Sequence, residues 1–191
     1  MYKDPIIIYR EYIQNACDAI DQAVREGLYE EQRQGSVHLF VDRDRRYVAI
    51  EDNGAGVPAA KFRRTVGDIA NSSKEADKDK GFRGIGRLAG LAYCKRLVFT
   101  TRATGESVVS RLECDAVRFC AMVNEKGYTA AEVLDTAFSF FAEAAKKKDA
   151  AHFFRVELYG VKREADALLD KDRIRSYLSF VAPAAYENSF Y

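Results

Sequence analysis

Residues 6–24, IIIYREYIQNACDAIDQAV, set the first constraint on the fold. Apolar side chains recur at Ile6, Tyr9, Ile13, Ala16, Cys17, Ile20 and Val24. That is the period of an amphipathic helix, which must bury one stripe against another layer. Asp4 is placed to cap its start, and Pro5 suits a first helical position, where no N–H is needed. Glu11, Asn15 and Asp18 fall at i, i+4 and i+7, so at about 100° per residue they share one narrow arc. A carboxylate, an amide and a second carboxylate in such a row read either as a solvated helix face or as a surface for a metal ion and a water.

The segments that follow supply the partner layer. Residues 36–42 alternate Val37, Leu39 and Val41 against His38 and Phe40, a charged turn spans 42–46, and 47–51 read as a second strand, which together predict an antiparallel hairpin. A second hairpin is predicted from strands at 97–102 and 107–112, and a further strand from 153–161. Pro58 can open a short helix through 66. Residues 71–80, NSSKEADKDK, are too polar to bury and predict a surface loop. GFRGIGRLAG, 81–90, then runs into a helix with LAYC. Residues 115–123 are ambiguous. Thr129 and Glu132 form a capping box that would open a helix to about residue 147, with three lysines suiting its C-terminal dipole. Asp170 would cap a last helix over 171–181, ended by Pro183. Hairpins imply antiparallel pairing and the helices can cover one face. The class is therefore α+β, a two-layer α/β sandwich with a mixed, mostly antiparallel sheet.

Composition narrows the function. The chain is 48% hydrophobic and 31% charged with a formal net charge of +1, enough for a core and without an overall electrostatic footprint for nucleic acid or membrane. No apolar run approaches membrane-spanning length and no signal peptide is visible, so a cytoplasmic location is expected. Cys17, Cys94, Cys114 and Cys120 show no C-x-x-C pairing and read as free thiols in a reducing compartment. His38 and His152 are too few and scattered for a zinc site and read as ordinary sheet or strand-edge residues.

Two further motifs bear chemistry. Gly81-x-x-Gly84-x-Gly86 is no P-loop, since G-x-x-x-x-G-K-[ST] is absent. Residues 84–89 match the loose dinucleotide form G-x-G-x-x-A, but polar residues precede them instead of a buried strand, and that reading is rejected. What remains is either a flexible loop or one whose N–H groups approach a phosphate at a helix start. Asp52, at the end of an apolar strand, should be half-buried and in need of a donor. Gly54 and Gly56 after it would clear room for a flat ring, and the exocyclic amine of a purine would suit the carboxylate. The alternative is an acidic residue capping a loop.

In order the chain carries E-x-x-x-N-x-x-D, D-x-G-x-G, a polar loop and G-x-x-G-x-G. On EYIQNACDAID (11–21), DNGAGV (52–57), IANSSK (69–74) and GFRGIGRLAGLAYCKRLVFTT (81–101) it resembles the GHKL ATPase superfamily, and within it the heat-shock-protein-90 branch. The resemblance implies the GHKL (Bergerat) sandwich with ATP bound between helices and sheet. It implies Glu11 as general base, Asn15 as the ligand of a Mg²⁺ ion, and Asp52 as acceptor for the adenine amino group, with Gly54 and Gly56 beside the base. It implies a lid over about 67–83, with backbone amides of Gly81, Phe82, Arg83, Gly84, Ile85 and Gly86 at the terminal phosphates and Asp18 and Asn71 in support. The chain departs from the family in places. The late strand HFFRVELYGV lacks the family's adenine-binding threonine, and Thr100 and Thr101 lie on a different strand. Arg83 stands where a large apolar residue is usual, and Arg83, Arg87 and Lys74 either reach phosphate or stay solvated.

The resemblance further implies one nucleotide-binding domain over 1–191, its segment from about 115 to 191 a C-terminal extension, as part of a longer, homodimeric, chaperone-like protein whose client is unknown. A histidine-kinase-type phosphotransferase is the alternative, although no basic residue follows Asn15 as in the kinase pattern. A non-catalytic nucleotide sensor in a DNA-linked, MutL- or microrchidia-like protein is another.

Overall fold

The computed structural model describes residues 4–62, 64, 86–125, 127–147 and 150–182. Helix α1 (Ile7–Arg25) buries Ile8, Tyr9, Tyr12, Ile13, Ala16, Ile20 and Ala23. Its start is a correction: the helix begins at Ile7, with Ile6 as its cap residue and no side-chain cap, and Asp4 and Pro5 lie in the turn before it. The Asp4 carboxylate accepts from the Ile6 N–H at 3.2 Å, and the Ile7 and Ile8 N–H groups bond back to the Asp4 and Pro5 carbonyls.

The sheet has strands β1 (Val37–Asp42), β2 (Tyr47–Asp52), β3 (Arg96–Arg102), β4 (Val108–Asp115), β5 (Phe138–Ala144) and β6 (Phe153–Tyr159), in the order β1-β2-β6-β3-β4-β5. Every neighbouring pair is antiparallel. Alternation along each strand separates two faces. Val48, Ile50, Leu97, Phe99, Leu112, Val156 and Leu158 share one core with Ile8, Tyr9, Tyr12 and Ile13 of α1 and with Ile174 and Leu178 of α4 (Lys171–Val181). The opposite face is polar and aromatic. Glu157, buried there, accepts from the hydroxyls of Tyr47 at 2.7 Å and Tyr159 at 2.9 Å, which meets the requirement that a buried carboxylate have donors. Beside it Arg155 pairs with Glu51, and the Arg96 guanidinium lies 4.4 Å over the Tyr159 ring. The α+β sandwich with helices over one face is the observed architecture.

Three elements differ from the sequence reading or complete it. The ambiguous stretch after β4 is helix α2 (Ala116–Asn124), capped by Asp115, whose carboxylate accepts from the Arg118 N–H at 3.0 Å. The segment GRLAGLA forms a 3-10 helix, Gly86–Ala92, and does not continue through LAYC as an α-helix; two glycines in seven residues disfavour α-helix continuation. The predicted helix from Thr129 to about 147 is a correction. The capping box exists, but α3 (Ala130–Ala137) stops after eight residues and the chain turns into β5. Phe138 and Phe140 face the core, where they meet Phe119 edge-on at 5.8 Å and Phe62 at 6.0 Å. The open edge of β4 supplies backbone partners, so tertiary pairing overrides the helix-forming composition of the segment.

The predicted short helix at 58–66 is present over 59–62; most of its remainder, Pro183 and the 71–80 loop lie outside the described residues. Thr129→Ala should cost about 1 kcal/mol through loss of the cap, read as a lower urea midpoint at unchanged slope. All four cysteines are free. Burial pushes the Cys94 thiol up to about 12 and raises Cys114 as well. Both are expected to resist maleimide in the folded protein and to label on denaturation, as counted by mass spectrometry.

Candidate functional site

Helix α1 is the base on which the loop after Asp52 and the Gly86–Ala92 segment are fastened. Toward its N-terminus the buried hydroxyl of Tyr12 accepts from the Gly90 N–H at 3.0 Å, which ties the Gly86–Ala92 segment to the helix. A Cβ at Gly90 would lie 2.6 Å from that hydroxyl. Further along, the Ala55 N–H donates to the Ala19 carbonyl at 3.2 Å, which ties down the loop after Asp52. Seven residues separate Tyr12 from Ala19, about 10 Å along the axis. Glu11 and Asn15, both half-buried, lie near the glycine-segment end of this interval, and Asp18 lies at the Asp52 end.

Asp52 is 4% exposed. Its Oδ1 accepts from the Gly54 N–H at 2.9 Å. The Cys17 thiol pKa is raised first by burial and then by the carboxylates of Asp21, Asp18 and Asp52. Asp18 is exposed and accepts from the Gln14 amide at 3.0 Å. Glu11 lies within electrostatic reach of Tyr177 on α4, whose phenol is raised by burial and, more weakly, by Asp4 and Glu11, against the opposing charge of Arg10.

The glycines after Asp52 are required by the protein's own backbone. A Cβ at Gly54 would lie 2.7 Å from the Ala19 carbonyl carbon. One at Gly56, where φ is +68°, would lie 2.0 Å from the Arg102 carbonyl oxygen. These contacts, with the left-handed φ at Gly56, leave no room for a side chain. The loop is thus wedged between α1 and β3.

The sequence-predicted residues divide clearly. Glu11, Asn15 and Asp18 share α1, and Asp52, Gly54 and Gly56 form the loop docked on it. Gly86 opens the 3-10 helix fastened through Tyr12. Asn71, Gly81, Phe82, Arg83, Gly84 and Ile85, together with the predicted lid and Lys74, lie outside the described residues.

Three residues beside the site were given no role from sequence. Thr101 shares a row with Asp52 through Phe154 of β6. Its hydroxyl, fully buried, donates to the Phe153 carbonyl and accepts from the Val57 N–H, both at 2.9 Å. A threonine at an inward register of an apolar strand was the available signal. Tyr29 and His152 hold the loop carbonyls; they left no pattern beyond an aromatic in a polar link and a histidine ahead of a strand.

A single helix anchors a glycine-rich segment and an acidic loop under one face of an antiparallel sheet, an α+β arrangement consistent with a GHKL-type domain. The chain matches the family described as histidine kinase-, DNA gyrase B- and HSP90-like ATPase over residues 7–143, and it belongs to that family. Among curated proteins it is similar to the chaperone protein HtpG of Shewanella sp. strain W3-18-1, 32% identical over 122 residues, which cover 55% of this chain and 19% of that protein. It is likewise similar to HtpG of Chromobacterium violaceum, 30% identical over 130 residues, 59% of this chain and 21% of that one. HtpG of Geobacter sulfurreducens is 29% identical over 123 residues, 55% and 19% of the respective chains. The chain spans about a fifth of the length of these relatives. Among the described residues no helix is long and apolar enough to cross a membrane.

Proposed function

We propose that this domain binds ATP with Mg²⁺ and hydrolyses it, as the N-terminal ATPase domain of a longer, cytoplasmic, chaperone-like protein that pairs with a second copy. The observation that carries the reading is the double anchoring of α1, through Tyr12 to the glycine-rich segment and through Ala19 to the Asp52 loop. Membership of the ATPase family supports nucleotide chemistry, and the likeness to HtpG favours the chaperone branch over a phosphotransferase.

In this reading Asp52 accepts from the amino group of the base, and the backbone N–H groups of 81–86 face the terminal phosphates. Asn15 offers an amide oxygen and Glu11 a carboxylate one turn earlier on the same helix. Oxygen donors few in number suit Mg²⁺, which keeps most of its water and binds through phosphates. Asn15 with the nucleotide itself would hold the ion. When bound, Mg²⁺ supplies neutralisation of phosphate charge. Glu11 orients a water and takes its proton, and Asp18 and Asn71 support the pocket.

Titration of ADP–Mg²⁺ into the domain by calorimetry should give saturable one-to-one binding, with GDP–Mg²⁺ much weaker. No binding, or equal binding of the two, would overturn the reading.

A further inference from the structure

The loop after Asp52 leaves the sheet with its carbonyls turned toward two aromatic side chains from distant parts of the chain. Tyr29, in the link after α1, donates its hydroxyl to the Asn53 carbonyl at 2.7 Å. His152, just before β6, places Nδ1 at 2.8 Å from the Gly54 carbonyl. A carbonyl only accepts, so Nδ1 carries the proton. The two rings also touch, with centroids 5.7 Å apart and planes tilted by 58°.

Peptide planarity turns these contacts into a positioning device. The Asn53 carbonyl shares one rigid plane with the Gly54 N–H, and that N–H donates to Asp52 Oδ1 at 2.9 Å. The Gly54 carbonyl shares the next plane with the Ala55 N–H, which donates to Ala19 on α1. Two relays therefore run side by side. One goes from Tyr29 through a peptide to the Asp52 carboxylate, the other from His152 through the next peptide to α1. Hydrogen bonds in such chains polarise and strengthen one another. Burial and then the Asp52 charge raise the Tyr29 pKa, so the phenol remains a donor at neutral pH. The far side of the loop is held too: the Asn53 side chain accepts from the Ser36 N–H at 2.6 Å and donates to the Gln34 carbonyl at 3.1 Å.

We propose that Tyr29 and His152 are positioning residues for base recognition: by clamping the carbonyls of Asn53 and Gly54 they fix the Asp52 carboxylate where it reads an exocyclic amino group. This rests on the reading of Asp52 as the base acceptor. The clamp touches no ligand; it sets how sharply the site distinguishes a 6-amino purine from a 6-oxo purine.

The test is the ratio of ADP to IDP affinity, measured by calorimetry with Mg²⁺ on wild type, Tyr29→Phe, His152→Leu, His152→Asn and Asp52→Asn. Tyr29→Phe removes one hydroxyl and little else. Tyr29→Phe and His152→Leu are each expected to shrink the ADP:IDP ratio by roughly 3- to 10-fold, the scale of one hydrogen bond. His152→Asn should restore the ratio, because its amide N–H can stand where Nδ1–H does. A merely structural role would lower both affinities together and leave the ratio unchanged. If Asp52→Asn keeps the wild-type ratio, the base reading falls and this proposal falls with it. If Asp52→Asn abolishes the preference while Tyr29→Phe and His152→Leu retain it, the clamp alone is overturned.

Discussion

Asp52→Asn is expected to weaken ADP binding by roughly 10- to 100-fold while the domain stays folded. A hydrogen bond to a charged group is worth about 1.5–3 kcal/mol, and each 1.4 kcal/mol is about tenfold in affinity. Asp52 is buried, so bulk water does little to dilute that term. The substitution is nearly isosteric, and an asparagine oxygen can keep the bond from the Gly54 N–H at the Oδ1 position. What changes is the other terminal atom. A carboxylate oxygen becomes an NH₂ group, which meets the amino group of the base as donor against donor. Calorimetry with ADP–Mg²⁺ beside a thermal melt separates the effects. Lost affinity with an unchanged melting temperature supports the assignment, whereas unchanged affinity removes Asp52 from base recognition.

The elements legible in the sequence are those whose signal is local. Although α1 starts at Ile7, past the Asp4–Pro5 turn, its apolar period and the alternating hairpin of β1 and β2 stand as read. So does the Thr129 cap, because a capping box is complete within four residues. The strand β5 was not legible. FSFFAEA alternates only briefly before a run of good helix formers, and the choice is made by the edge of β4, distant in sequence. The same limit hid Tyr29 and His152: each bonds to a backbone carbonyl, and a carbonyl has no residue type to serve as a signal. Their partners become visible only once β6 is inserted between β2 and β3, which brings His152 beside the end of β2. Gly54 and Gly56 were read as clearing room for a flat ring. The approach they permit is to the backbone of α1 and β3, a distinction spacing cannot make. Thr101 could have been recovered from its inward register between Phe99 and Ala103.

Glu11→Ala carries the largest expected effect. On the proposed hydrolytic reading it should lower ATP turnover by about 10²- to 10⁴-fold, the usual contribution of a general base, and leave ADP affinity unchanged. Glu11 stands one turn before Asn15 on α1 and next to Tyr12, whose hydroxyl fixes the glycine-rich segment to the same helix. A carboxylate there can accept a proton from a water directed at the terminal phosphate, and alanine cannot. Alanine is also the best helix former, so α1 and both of its anchors should survive the change, as a thermal melt would show. The pair of variants then separates binding from chemistry. Asp52→Asn should raise Kd, while Glu11→Ala should lower kcat at unchanged Kd. Removing a group used only in the transition state has that second signature. Wild-type hydrolysis by Glu11→Ala would sink the general-base role and leave the Asp52 assignment standing. A matching loss of binding in both variants would make the two residues parts of one binding surface, with the base supplied from elsewhere.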